Sequence, residues 1–304
     1  MVGMVDVGDK PETLRVAVAQ AIVKVDPTTM DLIKEGNSPK GNIVDAARLS
    51  ATLAAKKTWE LLPYCHPIDI DSTRVDITLQ EKSIEVLVSV KTIAKTGVEM
   101  EAMTGACIGA LTIYDMLKPV DENLSIESIR LVNKEGGLKT FFERFDRKLR
   151  SGVIVTSDSR GKKEDKSGKI VIDRLLNYAF EVVEYKIIPD EMHLIEMELK
   201  RFCDDLGVDL LLTTGGTGLG PRDVTPEATK KIIQKEINGV TEALRSYGQK
   251  RTPLSMLSRG TAGIRGHTVI VNLPGSVKGV SESLDCLFPG ILHVYKMIFG
   301  PFGH

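Results

Sequence analysis

Residues 210–228 read LLLTTGGTGLGPRDVTPEA, and this stretch decides the fold of the second half of the chain. The apolar run that ends at Leu212 has the length and composition of a buried strand. The glycines that follow it are Gly215, Gly216, Gly218 and Gly220. The sequence then predicts a helix with Thr225 as its N-cap and Pro226 in its first turn. Strand, glycine loop and helix in this order predict an α/β domain whose backbone N–H groups approach an anionic ligand.

The glycine loop is not a P-loop, because no Gly-Lys-Ser/Thr follows it, and its spacing does not match GxGxxG. It carries an acid, Asp223, where most phosphate-binding loops carry a base. A carboxylate beside a phosphate is repulsive unless a divalent cation lies between them. A turn that only allows close packing rarely needs four glycines together with Arg222 and Asp223, so we predict a ligand-binding loop.

The composition excludes several classes of protein. A length of 304 residues predicts two domains, and 42% hydrophobic with 27% charged residues is typical of globular proteins. Forty basic and 41 acidic residues argue against a nucleic-acid-binding protein. The four cysteines form no CxxC pair, which disfavours zinc sites, iron–sulfur sites and a disulfide framework. With neither a signal peptide nor a membrane span in the pattern, we predict a cytoplasmic protein.

The hydrophobic pattern changes near residue 148. Residues 1–148 mix helices and strands, which predicts an α+β domain of the ferredoxin-like kind. The elements predicted there are helices 42–62 and 98–117 and strands 74–79, 83–90 and 129–132. Residues 149–304 alternate strands and helices, which predicts a three-layer α/β domain with a mostly parallel sheet. Its predicted elements are strands 152–157, 182–188, 208–213 and 268–273 and helices 167–180, 191–206, 225–237 and 278–288.

Polar loops follow the predicted strands of the second half, where ligands bind on open parallel sheets. The residues in these loops, besides the glycine loop, are Ser157, Asp158, Ser159, Arg160, Asp190, Pro274, Gly275 and Ser276. Because the loops open on one edge of the sheet, Asp190 and Asp223 could share a Mg²⁺ with a triphosphate. A helix N-cap is the alternative interpretation of Asp190.

Six segments of the second half resemble the MoaB/Mog family of molybdopterin-binding domains, over about residues 151–304. They are TSDSR, KEDKSG, IIPDE, TTGGTGLGPRDVTPEA, LSRG and LPGS. The resemblance implies adenylyl transfer from Mg-ATP to molybdopterin, with Asp190 and Asp223 as catalytic, metal-binding carboxylates. It implies substrate binding by Ser157, Asp158, Gly215, Gly216, Thr217, Gly218, Pro274, Gly275 and Ser276. Some members of the family lack the activity, so a non-catalytic pterin-binding or scaffold domain is the alternative.

The first half carries reactive side chains at the ends of predicted helices. Lys40 precedes the helix that Asn42 can cap, and Asp115 and Lys118 share one face of a helix. The apolar neighbours of Asp115 predict that this helix is buried, and buried charges need a functional reason. An ordinary surface ion pair is the alternative.

Two further segments of the first half are candidates. Cys65 and His66 lie in a loop after a helix, where His66 could also be purely structural and zinc is disfavoured for lack of a second pair. Glu99 and Glu101 are two positions apart, so they project alike only if the chain is extended at that point.

Five segments of the first half resemble the cyclic pyranopterin monophosphate synthase (MoaC) family, over about residues 4–137. They are MVDVGDKPETLR, PKG, AAKKTWELLPYCHP, KTGVEMEAMT and ALTIYDMLK. The resemblance implies conversion of 3′,8-cyclo-7,8-dihydro-GTP into cyclic pyranopterin monophosphate and diphosphate. It implies catalytic roles for Asp115, Lys118, Lys40, His66, Glu99 and Glu101, and substrate contacts from Tyr64, Cys65, His66, Met100 and Glu101. Asn42 replaces the aspartate that is common after PKG in this family.

Both resemblances point to molybdenum cofactor assembly, so we predict a bifunctional enzyme with pterin and nucleotide substrates and no tightly bound cofactor. They also imply a homo-oligomer: hexamers of the first domain and trimers of the second are both compatible with three-fold symmetry. A generic nucleotide-binding regulator is a further alternative, which the lack of a basic face or partner-binding tail disfavours.

Overall fold

The computed structural model describes residues 3–158 and 164–300, and the chain divides into two compact units between Thr140 and Phe141. This division lies earlier than the predicted boundary near residue 148. Phe142 stacks on Tyr178, and Arg147 pairs with Asp209, so the connecting segment packs with the second unit. No helix in the described part of the chain is long and apolar enough to span a membrane.

The first unit is a four-stranded antiparallel sheet with helices, and it has the strand order β2-β3-β1-β4. Its elements are β1 (Thr13–Lys24), α1 (Pro27–Lys34), α2 (Ile43–Lys56), α3 (Thr58–Leu61), β2 (Ser72–Leu79), β3 (Ser83–Ala94), α4 (Glu99–Leu117) and β4 (Ser125–Gly136). This order and this alternation of elements confirm the predicted ferredoxin-like α+β domain.

Small residues allow α2 and α4 to pack closely against the sheet. The buried face of β1 consists largely of alanines, and α2 and α4 also meet through alanine and glycine. A Cβ on Gly105 of α4 would lie only 3.1 Å from the carbonyl oxygen of Ala51 in α2. The long, regular α4 therefore has a fixed position, which determines where the residues at its two ends lie.

One strand of the first unit was missed, and two predictions for this unit need correction. β1 was not predicted, because its run AVAQAIV contains a single polar residue and so shows little alternation. The helix predicted over 42–62 ends at Lys56, and a separate single turn, α3, follows it. The strand predicted over 129–132 extends over the whole of β4.

The second unit is a six-stranded mixed sheet with helices on both faces. Its elements are β5 (Arg150–Thr156), α5 (Lys166–Asn177), β6 (Glu181–Ile188), α6 (Met192–Lys200), β7 (Leu210–Thr214), α7 (Thr225–Ile232), β8 (Lys235–Glu236), α8 (Asn238–Gln249), β9 (Ala262–Arg265), β10 (Thr268–Leu273), α9 (Val277–Leu287) and α10 (His293–Phe299). The strand order is β6-β5-β7-β10-β9-β8, and the first four strands are parallel. This confirms the predicted three-layer domain with a mostly parallel sheet.

The parallel strands bury both faces, which explains their continuous apolar runs. Leu210 and Leu212 of β7 face one hydrophobic core, and Leu211 faces the other. The helix predicted over 225–237 is too long, because the chain leaves α7 at Ile233 and forms the antiparallel pair β8–β9. Thr225 is the first residue of α7 and not its N-cap, which is Val224.

Candidate functional site

One charged cluster lies where α4 ends in the first unit. Asp115 Oδ2 accepts from Lys40 Nζ at 2.7 Å, and its Oδ1 pairs with Lys118 Nζ, also at 2.7 Å. Lys40 also donates to the backbone carbonyl of Asp115 at 2.8 Å. The structure thus brings Lys40 from its loop to the Asp115 and Lys118 pair at the end of α4.

The cluster is exposed, and the prediction that Asp115 and Lys118 are buried was wrong. Each side chain is 56% exposed, because both lie at the end of α4, beyond its packed middle. Hydrogen bonds from Lys118 and Lys40 lower the pKa of Asp115 to about 2. The hydrogen bond to Asp115 in turn raises the pKa of Lys118. At neutral pH the cluster is thus an ionised carboxylate that holds two protonated amines beside open solvent.

A second group of predicted residues lies at the opposite end of α4. Glu99 and Glu101 are both in its first helical turn, so the extended entry that would make them project alike is not present. Glu101 is buried, and its Oε2 has no hydrogen-bond partner among the described residues. Burial, supported by the charge of Glu99, raises the pKa of the Glu101 carboxyl. Met100, between them, is exposed.

The Cys65-His66 loop reaches this same end of the helix. Burial raises the pKa of Cys65, and the nearby charge of Glu101 adds to the effect. His66 Nε2 lies 2.9 Å from the carbonyl oxygen of Val5, so this contact orients the imidazole. Tyr64, beside them, is exposed.

Within one chain the two groups do not meet. Glu101 and Asp115 lie on the same straight helix, and at a rise of about 1.5 Å per residue they are about 21 Å apart along its axis. The residues that the resemblance assigned to one active site therefore form two separate groups, or half-sites, within one chain.

A basic cleft beside Glu99 contains residues that the sequence analysis missed. The cleft has a volume of about 550 Å³. Its charged lining consists of three basic and two acidic residues, which are Lys10, Arg15, Lys134, Glu99 and Glu135. Lys134 Nζ lies 3.5 Å from Glu99 Oε1. Arg15 Nε has no partner among the described residues, and burial lowers the pKa of this arginine. An arginine two residues before the apolar run of β1 was the signal that could have revealed this cleft.

In the second unit, the four predicted loops converge on one cleft of about 390 Å³. Its lining comes from the carboxyl ends of β5, β6, β7 and β10 and includes Ser157, Asp158, Asp190, Gly215, Gly275 and Ser276. Ser167 in the first turn of α5 lines the cleft as well, and Ser276 caps α9 by accepting from Gly279 N. Pro274 accepts from the hydroxyl of Thr214. Ser159 and Arg160, which were predicted here, lie outside the described residues.

Glycine is required at the start of the glycine loop. Gly215 has φ +104°, and a Cβ there would lie 2.3 Å from the carbonyl oxygen of Thr156. Gly216 has φ +61°, and a Cβ there would lie 2.9 Å from Asp190 Oδ1. The two glycines therefore let the loop approach the carboxylate of Asp190 and the end of β5.

Asp190 is a ligand-binding candidate and not a helix cap. Glu191 occupies the N-cap position of α6. Burial raises the pKa of Asp190; the hydrogen bond from Thr156 opposes the shift, and the charges of Asp158 and Asp223 add to it. Asp190 Oδ1 is buried without a hydrogen-bond partner among the described residues.

Asp158 and Asp223 surround Asp190. Arg222 pairs with Asp158 through two guanidinium nitrogens, at 2.8 and 3.1 Å, and this hydrogen bonding lowers the pKa of Asp158. Asp158 also accepts from the backbone N–H of Asp190 at 3.1 Å. Asp223 Oδ2 accepts from Gly220 N at 2.8 Å, which folds the carboxylate over the loop.

The residues present fit a magnesium–nucleotide complex. Described histidine, cysteine and acidic side chains do not form a metal cluster of three. Mg²⁺, however, usually takes one or two carboxylates and completes its shell with water and phosphate oxygens. The unpartnered oxygen of Asp190 and the nearby Asp223 supply that number of carboxylates.

Fold and site together define a two-domain protein in which a ferredoxin-like domain precedes an α/β domain with an acidic cleft at its strand ends. Family models match each part: the MoaC family over residues 4–137 and the "probable molybdopterin binding domain" over residues 152–293. The chain is 37% identical to the molybdenum cofactor biosynthesis bifunctional protein of Chlorobaculum tepidum, over 100% of this chain and 96% of that protein. The chain belongs to this family of bifunctional molybdenum cofactor biosynthesis proteins.

Single-function relatives match parts of the chain. A cyclic pyranopterin monophosphate synthase of Thermomicrobium roseum is 44% identical over 48% of this chain and 90% of its own length. A molybdopterin adenylyltransferase of Helicobacter pylori is 44% identical over 49% of this chain and 87% of its own length.

Proposed function

We propose that the chain is a bifunctional enzyme of molybdenum cofactor assembly, with the synthase site within residues 1–148 and the transferase site within residues 149–304. The first domain converts 3′,8-cyclo-7,8-dihydro-GTP into cyclic pyranopterin monophosphate and diphosphate. The second transfers AMP from Mg-ATP to molybdopterin. The observation that carries the proposal for the second domain is the convergence of four strand-end loops on a cleft that contains Asp190, with the Asp223 carboxylate close enough to raise the pKa of Asp190.

In the first domain, Lys40 and Lys118 hold protons beside the ionised carboxylate of Asp115. This arrangement suits proton transfer to a purine-derived ring and stabilisation of developing anions. Glu101 keeps its proton to a higher pH than an ordinary glutamate, because its carboxyl is buried. It is therefore suited to donate a proton or a hydrogen bond at the other half-site.

We further propose that two protomers complete each synthase site. Glu101 and Asp115 are too far apart along α4 for one small substrate to contact both in one chain. A neighbouring copy that brings the start of its α4 to the Asp115 cluster would join the two half-sites. The basic cleft of Lys10, Arg15 and Lys134 would then hold the triphosphate or the released diphosphate.

In the second domain, chain residues position two phosphate-bearing substrates. Asp190 and Asp223 would hold Mg²⁺, which when bound neutralises the charge of the ATP phosphates. The glycine loop and the starts of α5 and α9 offer N–H and hydroxyl donors to phosphate oxygens. Asp158 holds Arg222 beside Asp190, so that a cation borders the carboxylates.

The experiment for this proposal is turnover by the purified full chain with each substrate in turn. The enzyme proposal requires conversion of the cyclo-dihydro-GTP without ATP, and AMP incorporation into molybdopterin that depends on Mg²⁺. Synthase turnover combined with pterin binding but no AMP incorporation would instead support a pterin-binding or scaffold role for the second domain.

A further inference from the structure

Arg259 lies in the LSRG segment, between a short 3₁₀ turn (Pro253–Leu257) and β9. Its backbone N–H donates to the carbonyl oxygen of Thr217 at 3.1 Å. Its guanidinium Nε donates to the carbonyl oxygen of Gly218 at 2.6 Å. The two remaining guanidinium nitrogens contact the carbonyl oxygen of Asp223 and the carboxylate of Glu227. One arginine thus binds both ends of the 218–223 segment and the first turn of α7.

The 218–223 segment needs such an anchor. Two of its residues are glycines, which lose the most conformational entropy when a loop is ordered. Leu219 within the segment is 68% exposed, so it contributes little burial. The hydrogen bonds within the segment join Gly220 to Asp223. These local bonds shape the turn, whereas the contacts of Arg259, together with the exposed pair of Arg222 with Asp158, connect it to the rest of the domain.

Arg259 acts through the loop and not on the ligand. All three guanidinium nitrogens are engaged by Gly218, Asp223 and Glu227. A direct contact with a phosphate would require Arg259 to give up these partners.

We propose that Arg259 is a positioning residue for adenylyl transfer: it fixes the 218–223 loop and thereby holds the Asp223 carboxylate toward Asp190. This inference rests on the proposed function of the second domain. Loss of the arginine leaves both carboxylates present but allows the distance between them to vary. The Mg²⁺ requirement of the reaction should suffer more than the binding of the pterin.

The test compares Arg259→Met and Arg259→Lys with Arg265→Met in the full chain. Arg265 is a matched control, because it also pairs with a carboxylate, that of Asp204 at 2.6 Å, and donates to the carbonyl oxygen of Ile232. The measurements are kcat, the pterin KM, the Mg²⁺ concentration for half-maximal rate, and amide hydrogen exchange of peptides that cover residues 215–224.

For Arg259→Met we expect kcat to fall about 10²-fold, as for a misplaced catalytic group, and the half-maximal Mg²⁺ concentration to rise about tenfold. The pterin KM should stay within about threefold, since pterin contacts are unchanged. Exchange of the loop amides should accelerate in Arg259→Met and, to a smaller degree, in Arg259→Lys. Arg265→Met should change none of these quantities.

Unchanged exchange in the loop, or equal losses in Arg259→Met and Arg265→Met, would overturn the positioning role. An unchanged Mg²⁺ requirement with a large rise in the pterin KM would overturn it as well and make Arg259 a substrate-binding residue. If Arg259→Met does not fold, the same four measurements on Arg259→Lys are compared with those on Arg265→Met. Absence of AMP transfer by the unmodified chain would refute the adenylyltransferase proposal, whereas the exchange measurement would still test the anchor.

Discussion

Lys40 donates to the carboxylate of Asp115 at 2.7 Å, from a loop that is distant from α4 in the sequence. Lys118 occupies the other oxygen of the same carboxylate. Both lysines therefore depend on Asp115 for their position, and Asp115 depends on them for its low pKa. This mutual dependence has a testable consequence.

Asp115→Asn should lower synthase turnover by about 10²–10⁴-fold, because the amide cannot ionise and leaves two ammonium groups without a counter-charge. Thermal stability should change little, since the carboxylate is exposed. Since the pKa of Asp115 is about 2, ionisation of Asp115 in the free enzyme should not cause any loss of activity between pH 4 and 6. Turnover within a few-fold of the unmodified chain would reduce Asp115 to a surface residue.

Glu101→Gln should raise the melting temperature at pH 8. The buried carboxyl has a higher pKa in the folded than in the unfolded chain, so stability falls as the pH rises through the interval between the two values. The increase in melting temperature caused by the substitution should reach its full size above that pH interval. It should vanish below about pH 4, near the ordinary glutamate pKa. Synthase turnover should nevertheless decrease.

The control is Glu99→Gln, whose side chain is partly exposed and pairs with Lys134. It should show a clearly smaller stabilisation, because it removes only the repulsion by the Glu99 charge and leaves the Glu101 carboxylate buried. A pH-independent difference between Glu101→Gln and the unmodified chain would contradict the assignment of a destabilising buried carboxylate.

Much of the fold could be predicted from sequence, because amphipathic and buried periodicities are local. The parallel strands and the glycine loop were found this way. β8 and β9 were not, since two and four residues carry little periodicity and pair only through tertiary contacts. The exposure of Asp115 was missed for a similar reason. Its neighbours Ile113 and Met116 are buried, whereas the face of α4 that carries Asp115 is exposed near the end of the helix.

The candidate sites were only partly predictable. Asp190 and Asp223 lie close enough for their charges to interact because strand ends converge, which is a topological rule. Arg15 and Lys134 come together only through the pairing of β1 with β4, which the sequence did not indicate. The separation of Glu101 from Asp115 follows from the length of α4, and it makes an oligomeric synthase site the simplest arrangement.

Arg147→Met should destabilise the second unit by about 2 kcal/mol, the usual cost of losing hydrogen bonds to a buried charged group. Asp209 is buried; burial opposes its ionisation, but the hydrogen bonds from Arg147 and Arg150 N outweigh this and lower its pKa. Denaturant unfolding of the full chain would measure the change. An unaltered midpoint for the second unit would mean that residues 141–148 are only a tether.

Gly216→Ala should strongly impair AMP transfer, because a Cβ at φ +61° would meet Thr225 Oγ1 at 2.3 Å and Asp190 Oδ1 at 2.9 Å. Gly239→Ala is the control, since a Cβ there has no atom within 4 Å. It should leave transfer unchanged. Full transfer activity in Gly216→Ala would show that Asp190 needs no close approach of the loop.

The central claim is that one chain carries two catalytic sites, the second of which uses Asp223. The most direct test measures both reactions in full-length Lys118→Ala and Asp223→Ala. We predict that Lys118→Ala abolishes pyranopterin formation and retains AMP transfer. Asp223→Ala should retain pyranopterin formation and lose AMP transfer. It should still bind the pterin in the absence of metal, because the substitution removes a carboxylate that repels the phosphate. Full AMP transfer by Asp223→Ala, or loss of both activities in either folded variant, would contradict the account.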